Sequence, residues 1–263
     1  MNVCVIIPAA GRGTRFGPSD KLSQEVGGRP LLMRTVELFT KRDEVRSIIV
    51  AGPPEALEDF KNRYGAPLGF HGAAIMQGGR LGRWETVRNA LEAVPEGSTH
   101  IAVHDAARAA VSKQLLDRVF EAARTLAAVI PAVPIAATLK RASDETIDVA
   151  DHRGDALADA ILGEAGRQSI AARQVIETVD RSGLVEVQTP QIFDADLLRR
   201  AYAQVDLSYA TDDASLIEQL GEPVYVVQGD VRNIKVTTPA DLKLLRSILG
   251  VKPPSERPIH KRF

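Results

Sequence analysis

Short apolar runs rich in β-branched residues recur along the chain, each closed by a turn or loop: VCVII (3–7), SIIVA (47–51), AAIM (73–76), HIAVH (100–104) and AAVIPAV (127–133). Between and after them, segments 31–41, 54–63, 83–93 and 113–125 place apolar residues three and four apart, the period of a helix with one buried face. Strand and helix in alternation predict β-α-β units: an α/β fold with a mostly parallel sheet flanked by helices. Ligands of such sheets gather beyond the carboxyl ends of the strands, which singles out the loops after Ile7, Met76 and Val103.

Past Val133 the rhythm breaks. A charged stretch, RASDETIDVADHRGD, an alanine-rich helical pattern near 155–165 and VIETVDRSGLVEVQTPQ read as an excursion from the sheet. The core pattern resumes with helices at 195–204 and 213–219, strands VYVVQ (224–228) and NIKVT (233–237), and a closing helix at 239–249. The expected organisation is one core of residues 1–133 and 191–250, an arm with an inserted segment at 134–190, and a basic proline-containing tail at 251–263.

Composition narrows the chemistry. With 33 Lys and Arg against 34 Asp and Glu the formal net charge is -1, so bulk attraction to nucleic acid or an acidic membrane is not expected, and any phosphate binding must be local. The single cysteine, Cys4, sits in an apolar strand and permits no intrachain disulfide. No apolar run approaches the roughly 18 residues of a spanning helix, and the N-terminus has no secretory pattern; a cytoplasmic, soluble chain is expected. The five histidines lack metal-ligand spacing, and no nucleophile elbow occurs.

Against that neutral background the loop PAAGRGTRFGPSDK concentrates glycines and cations. Gly11 and Gly13 invite a dinucleotide reading, but the third glycine of that fingerprint is replaced by Phe16, and no glycine precedes Lys21 as a P-loop requires. What remains is a loop whose backbone N–H groups can approach phosphate oxygens, with Arg15 and Lys21 as charged partners. At the end of HIAVH, Asp105 suits a divalent cation or the cap of a following helix equally well, and Arg108 is within reach of the same place. Gly78, Gly79 and Gly82 form a second glycine-rich loop, suited to the edge of a nucleobase or to a plain surface turn, with Thr86 as a nearby hydroxyl. Lys235 lies inside NIKVT, where its stem is covered and its ammonium can be aimed.

Taken in order, VIIPAAGRGTRF with Lys21, GGRPLL, GGR…RWETV, VHDAAR, TLKR, ETVDRSGL, QTPQIF, TDDASLIE and NIKVTTPADL resemble the 2-C-methyl-D-erythritol 4-phosphate cytidylyltransferases, over nearly the whole stretch from Val3 to Leu249. The resemblance implies a Rossmann-like nucleotidyltransferase fold with an extended β arm, CTP and a polyol phosphate as substrates, Mg²⁺ or another divalent cation as cofactor, and a homodimer. It also implies site roles. Ala9, Ala10, Gly11 and Gly13 would wrap CTP, Arg15 and Lys21 would neutralise its triphosphate, and Gly79 and Thr86 would face cytosine with Arg83 supporting their loop. Asp105 would hold the metal. Arg108, Thr138, Arg181, Thr189 and Lys235 would bind the acceptor, Thr138 and Arg181 reaching across the dimer.

Four features depart from the family pattern. Ala137 and Arg232 stand where acidic residues are usual, Thr86 stands where serine is commoner, and the arm is longer than usual. A ribitol 5-phosphate cytidylyltransferase shares most of these motifs, and a non-catalytic nucleotide-binding protein on the same scaffold is the alternative of a different class.

Overall fold

The computed structural model describes residues 1–11, 13–17, 20–150 and 169–252. Strand β1 (Val3–Pro8) runs through the middle of a sheet covered on both faces. Its alternate side chains feed different cores: Val3, Val5 and Ile7 enter one, Cys4 and Ile6 the other, all fully buried. A strand buried on both faces needs no polar alternation, which is why it reads as an uninterrupted apolar run. A small hairpin, β2 (Glu25–Val26) with β3 (Arg29–Pro30), turns through Gly27 and Gly28 at positive φ. Helix α1 (Leu31–Glu37) then leads to β4 (Val45–Gly52), α2 (Leu57–Phe70), β5 (Ala73–Gln77), α3 (Arg83–Leu91), β6 (His100–Val103), α4 (Lys113–Ala122) and β7 (Ala128–Pro134).

Neighbouring strands follow the order β7, β11, β6, β1, β4, β5, where β11 is Gln191–Asp194. The pairs β1 with β4, β1 with β6 and β4 with β5 are parallel, so their carboxyl ends share one edge of the sheet. Strand β11 is antiparallel to β6 and β7, which makes the sheet mixed. The sequence pattern does not announce it: only four residues long, it is apolar at Ile192 and Phe193 alone.

The chain divides into two compact units, one of residues up to Val133 together with those from Val187 onward, the other Pro134–Glu186. In the second unit β8 (Leu139–Ala150) and β9 (Ser169–Val179) form an antiparallel hairpin, joined across its strands by Arg141 to Glu177 at 2.7 Å. The expected helix at 155–165 lies outside the described residues, as does the tail beyond Lys252. Strand β10 (Val185–Val187) closes the excursion. The first unit resumes with β11, α5 (Ala195–Tyr202), α6 (Asp213–Gln219), β12 (Tyr225–Gln228), parallel to β7, and α7 (Pro239–Ile248), which starts on a capping box of Thr238 and Asp241. No helix among the described residues is long and apolar enough to cross a membrane.

Three expectations are corrected. NIKVT is not a strand: residues 233–237 are irregular and fixed by specific bonds described below. Helix α1 stops at Glu37, where Leu38 and Phe39 tighten into i→i+3 turns. Helix α2 begins later than expected and continues to Phe70, with Pro67 inside it and Tyr64 and Leu68 buried against the sheet. Burial of that face outweighs the missing proline N–H.

Because Ile6 is fully buried on the central strand, truncation to alanine leaves a void that the surrounding layers cannot close. We expect Ile6→Ala to cost about 2–5 kcal/mol of unfolding free energy, measured by urea denaturation.

Candidate active site

The loops that follow β1, β4 and β5 are tied together by their backbones. Ala9 N donates to Ala51 O at 2.8 Å, and Gly78 N donates to Gly52 O at 2.8 Å. His104 N, just past β6, donates to Ile6 O at 2.9 Å, which carries the next residue, Asp105, to the same edge. In the first loop Gly13 adopts φ 60 as it enters a short 3-10 turn, Thr14–Phe16. Phe16, the residue that replaces the third fingerprint glycine, is buried in the core and anchors that loop.

A cleft of about 370 Å³ opens at this edge. Ala9, Ala10, Gly11, Lys21, Gly79, Arg83, Thr86, Asp105 and Lys235 all line it. Gly13 lines an adjoining hollow with Lys21. Arg15 is exposed on the turn, close enough for its charge to act on Lys21. A third hollow, of about 410 Å³, is lined by Arg108, Thr189, Gln188 and Thr211 among others, and shares Arg83, Asp105 and Lys235 with the cleft. Thr138 and Arg181 belong to the second unit, where Thr138 is exposed and the Arg181 guanidinium donates to the Ala136 carbonyl.

Asp105 is the centre of the arrangement. Its Oδ2 lies 3.0 Å from Lys235 Nζ and 3.2 Å from Arg108 Nε, and its Oδ1 lies 3.5 Å from Arg83 Nε. Burial on its own would raise the carboxyl pKa; Arg83, Lys235 and Arg108 outweigh it and hold Asp105 well below the usual carboxylate range. The capping alternative fails, because the next helix starts only at Lys113 and is capped by Ser112. Lys21 is shifted the other way: burial, then the charge of Lys235, lowers its pKa.

A chain of hydrogen bonds fixes the Asp105 backbone. Asp105 N donates to Thr189 Oγ1 at 3.0 Å, Thr189 Oγ1 meets His104 Nδ1 at 3.1 Å, and His104 Nε2 meets the Arg108 carbonyl at 3.0 Å. A carbonyl only accepts, so Nε2 carries the proton, Nδ1 is bare, and the threonine hydroxyl donates to it. His104 is neutral accordingly, its pKa pushed down to about 4 chiefly by burial. Thr189, which the resemblance gave to the acceptor, lines the third hollow, and its hydroxyl also belongs to this chain of bonds.

Arg83, expected beside the glycine loop, lines the cleft with Gly79 and Gly82. Rather than bracing the glycine loop, it reaches from α3 to Asp213 Oδ2 at 2.6 Å, and Asp213 also accepts from Tyr202 Oη at 2.6 Å. The loop is braced by Glu85, Thr86 and Asn89, whose side chains bond Arg80, Leu81, Gly79 and Gly78. Lys235 is positioned by the bonds around it. Val236 N donates to Ala107 O at 2.9 Å, buried Asn233 donates to Thr189 O at 2.9 Å, and the Asn233 carbonyl accepts from Arg108 Nη1 at 2.6 Å. Gln188 clasps the same stretch through both backbone groups of Asp230. Asp213, Asn233, Gln188 and Glu85 were not singled out from sequence. For Asp213 a signal existed, an acidic residue on the inward face of a short helix beside Leu216 and Ile217.

A Rossmann-like sheet, a glycine-rich first loop with a lysine at its floor and a buried carboxylate under three cations at the strand ends define a nucleotidyltransferase. The family model described as 2-C-methyl-D-erythritol 4-phosphate cytidylyltransferase matches residues 3–160 and 149–251. The 2-C-methyl-D-erythritol 4-phosphate cytidylyltransferase of Bacteroides fragilis is 37% identical over 245 residues, 93% of this chain and 98% of that one. The like-named protein of Frankia casuarinae is 38% identical over 258 residues, 97% of this chain and 84% of its own. Among solved structures, that of the Thermus thermophilus enzyme matches with TM-score 0.70 at 33% identity, covering 95% of this chain and 100% of its own. The chain belongs to the 2-C-methyl-D-erythritol 4-phosphate cytidylyltransferase family.

Burial of neutral His104 makes a prediction about stability. An unfolded histidine protonates near 6.5 and His104 only near 4, so the unfolded state binds more protons between these values and stability falls as pH drops through that window. His100, also lowered by burial, acts in the same direction. Urea unfolding at pH 7, 5.5 and 4.5 is expected to show the decline, with a shallower slope in His104→Asn than in His100→Asn.

Proposed function

We propose that this chain joins CTP to 2-C-methyl-D-erythritol 4-phosphate, giving 4-diphosphocytidyl-2-C-methyl-D-erythritol and pyrophosphate. The observation that carries the reading is the wall between the two hollows: Arg83, Asp105 and Lys235 belong to both. Two anionic substrates seated on either side would meet at one group of cations. CTP takes the cleft, its triphosphate along Ala9, Ala10, Gly11 and Gly13 with Arg15 and Lys21, and its base toward Gly79. The acceptor takes the hollow at Arg108.

The reaction asks for positioning and charge neutralisation, with no enzyme nucleophile. An oxygen of the acceptor's phosphate attacks the α-phosphorus of CTP. The new P–O bond forms as the bond from that phosphorus to pyrophosphate breaks. The attacking oxygen is already ionised, so no general base is needed. Lys235, with a side chain 40% exposed, is the cation best able to turn from Asp105 to a phosphate; Arg108 is buried and tied to the Asn233 carbonyl. Burial chiefly, and then the charge of Lys235, lower the Lys21 pKa; a triphosphate beside it would favour its charged form.

A divalent cation, Mg²⁺ in this proposal, fits the donor set. Mg²⁺ is usually held by one or two carboxylates, with phosphates and water completing its shell. Asp105 is one such carboxylate, kept ionised, and the described residues contain no cluster of three or more His, Cys, Asp or Glu that would suggest a preformed cage. Asp105 would hold the ion, which would neutralise triphosphate charge when bound. We further propose that the protein works in the cytoplasm as a homodimer, with Thr138 and Arg181 of one arm serving the partner's acceptor hollow.

Pyrophosphate release from CTP and Mg²⁺, with 2-C-methyl-D-erythritol 4-phosphate or ribitol 5-phosphate in parallel, tests the reading. Turnover is expected with the first acceptor, and Lys21→Ala, Asp105→Ala and Lys235→Ala should each lower it by about 10²-fold or more. Turnover with ribitol 5-phosphate alone, or full activity in the variants, would overturn it.

A further inference from the structure

The loop between β5 and α3 spends four backbone donors on the protein itself, those of Gly78 to Leu81, while no bond among the described residues takes up Gly82 N. Gly78 N donates to Gly52 O at 2.8 Å, Gly79 N to Thr86 Oγ1 at 3.0 Å, and Arg80 N and Leu81 N both to Glu85 Oε2, at 2.6 and 2.7 Å. The acceptors are treated differently. Gly78 O receives Asn89 Nδ2 at 3.2 Å and Gly82 O receives Thr86, but no hydrogen bond from the described residues reaches the carbonyls of Gly79, Arg80 and Leu81.

In a trans peptide the carbonyl points away from the N–H of the same plane. Pinning the amides of Arg80 and Leu81 on one carboxylate oxygen therefore turns the carbonyls of Gly79 and Arg80 away from Glu85. Gly79 and Arg80 line the 370 Å³ cleft, together with Thr86. A second feature shows how closely the carboxylate is built into the loop: a Cβ on Gly79 would lie 2.6 Å from Cβ and Cγ of Glu85. Only glycine leaves room for the side chain to fold beneath. The same bonds, that to Leu81 first, lower the Glu85 pKa and keep it an acceptor.

We propose that Glu85 sets the base preference of the cleft: by holding two loop amides inward it leaves bare carbonyl oxygens that accept from the exocyclic amino group of cytosine and repel O4 of uracil. The inference rests on the reading above, that the nucleotide base lies at this loop. Its force comes from the asymmetry of polar recognition, since an acceptor set against an acceptor leaves both unpaired. Glu85 is a positioning residue here, acting through the backbone it holds.

The test is calorimetric titration of the whole protein with CTP and with UTP, in Mg²⁺ and without acceptor. The native chain should prefer CTP. In Glu85→Ala the two amides are released and can turn outward, so CTP should weaken, UTP should gain, and the ratio of affinities should fall by about tenfold or more. Glu85→Gln should retain the preference, because both bonds fall on one oxygen and an amide oxygen can take them. If Glu85→Ala does not fold, Glu85→Ser, too short to reach the loop, replaces it. An unchanged ratio, equal weakening of both nucleotides, or a glutamine variant as unselective as alanine would overturn the proposal. A protein that selects CTP through Glu85 yet releases no pyrophosphate with either polyol phosphate would overturn the proposed reaction and leave this inference standing.

Discussion

The carboxylate of Asp105, buried beneath Lys235, Arg108 and Arg83, is the interaction around which the rest of the core unit is arranged. A charge withdrawn from water is tolerable only when its partners and hydrogen bonds are complete. That requirement explains the support around it: Asp213 steadies Arg83, the Asn233 carbonyl steadies Arg108, and Thr189 with His104 fixes the backbone from which the carboxylate projects. The cations outnumber the carboxylates they face. A chain with a formal net charge of -1 thus holds a positive cleft, so the excess of cations is a property of one place and not of the whole surface.

Much of the fold was readable because two-sided burial leaves a plain trace. The run VCVIIP is apolar throughout since both faces of β1 are covered, and the same holds for most of SIIVA and HIAV. Pattern failed where packing overrides local preference or where an element is too short to have a pattern. Strand β11 is set by its two neighbours, α2 passes through Pro67, and NIKVT resembles a strand while its backbone bonds go to a turn and to Ala107.

The candidate site was legible as a set of residues more than as a set of contacts. Composition and spacing pointed to Lys21, Asp105 and Lys235, and these line one cleft. The contacts of Arg83 and Thr189 were not readable, because their partners Asp213 and Asp105 lie far away in the sequence. Short-range spacing carries no information about such pairs. The residues missed altogether, Gln188, Asn233 and Glu85, act on backbone groups, and amide or carboxylate side chains with that task look like any surface residue in a sequence.

The long spans closed by these bonds bear on how the cleft comes into being. Asp105 reaches Thr189 across 84 positions, and Arg108 reaches Asn233 across 125. Contacts of such sequence separation form late, since the entropy of closing the intervening chain must be met before they contribute. During synthesis, the strands that frame the cleft emerge well before the segment bearing Lys235. Until that segment docks, the Asp105 carboxylate lacks one of its three cations, so the nascent chain holds a framed but uncompensated site, and the arrival of residues 233–236 completes both the fold of this edge and its charge balance.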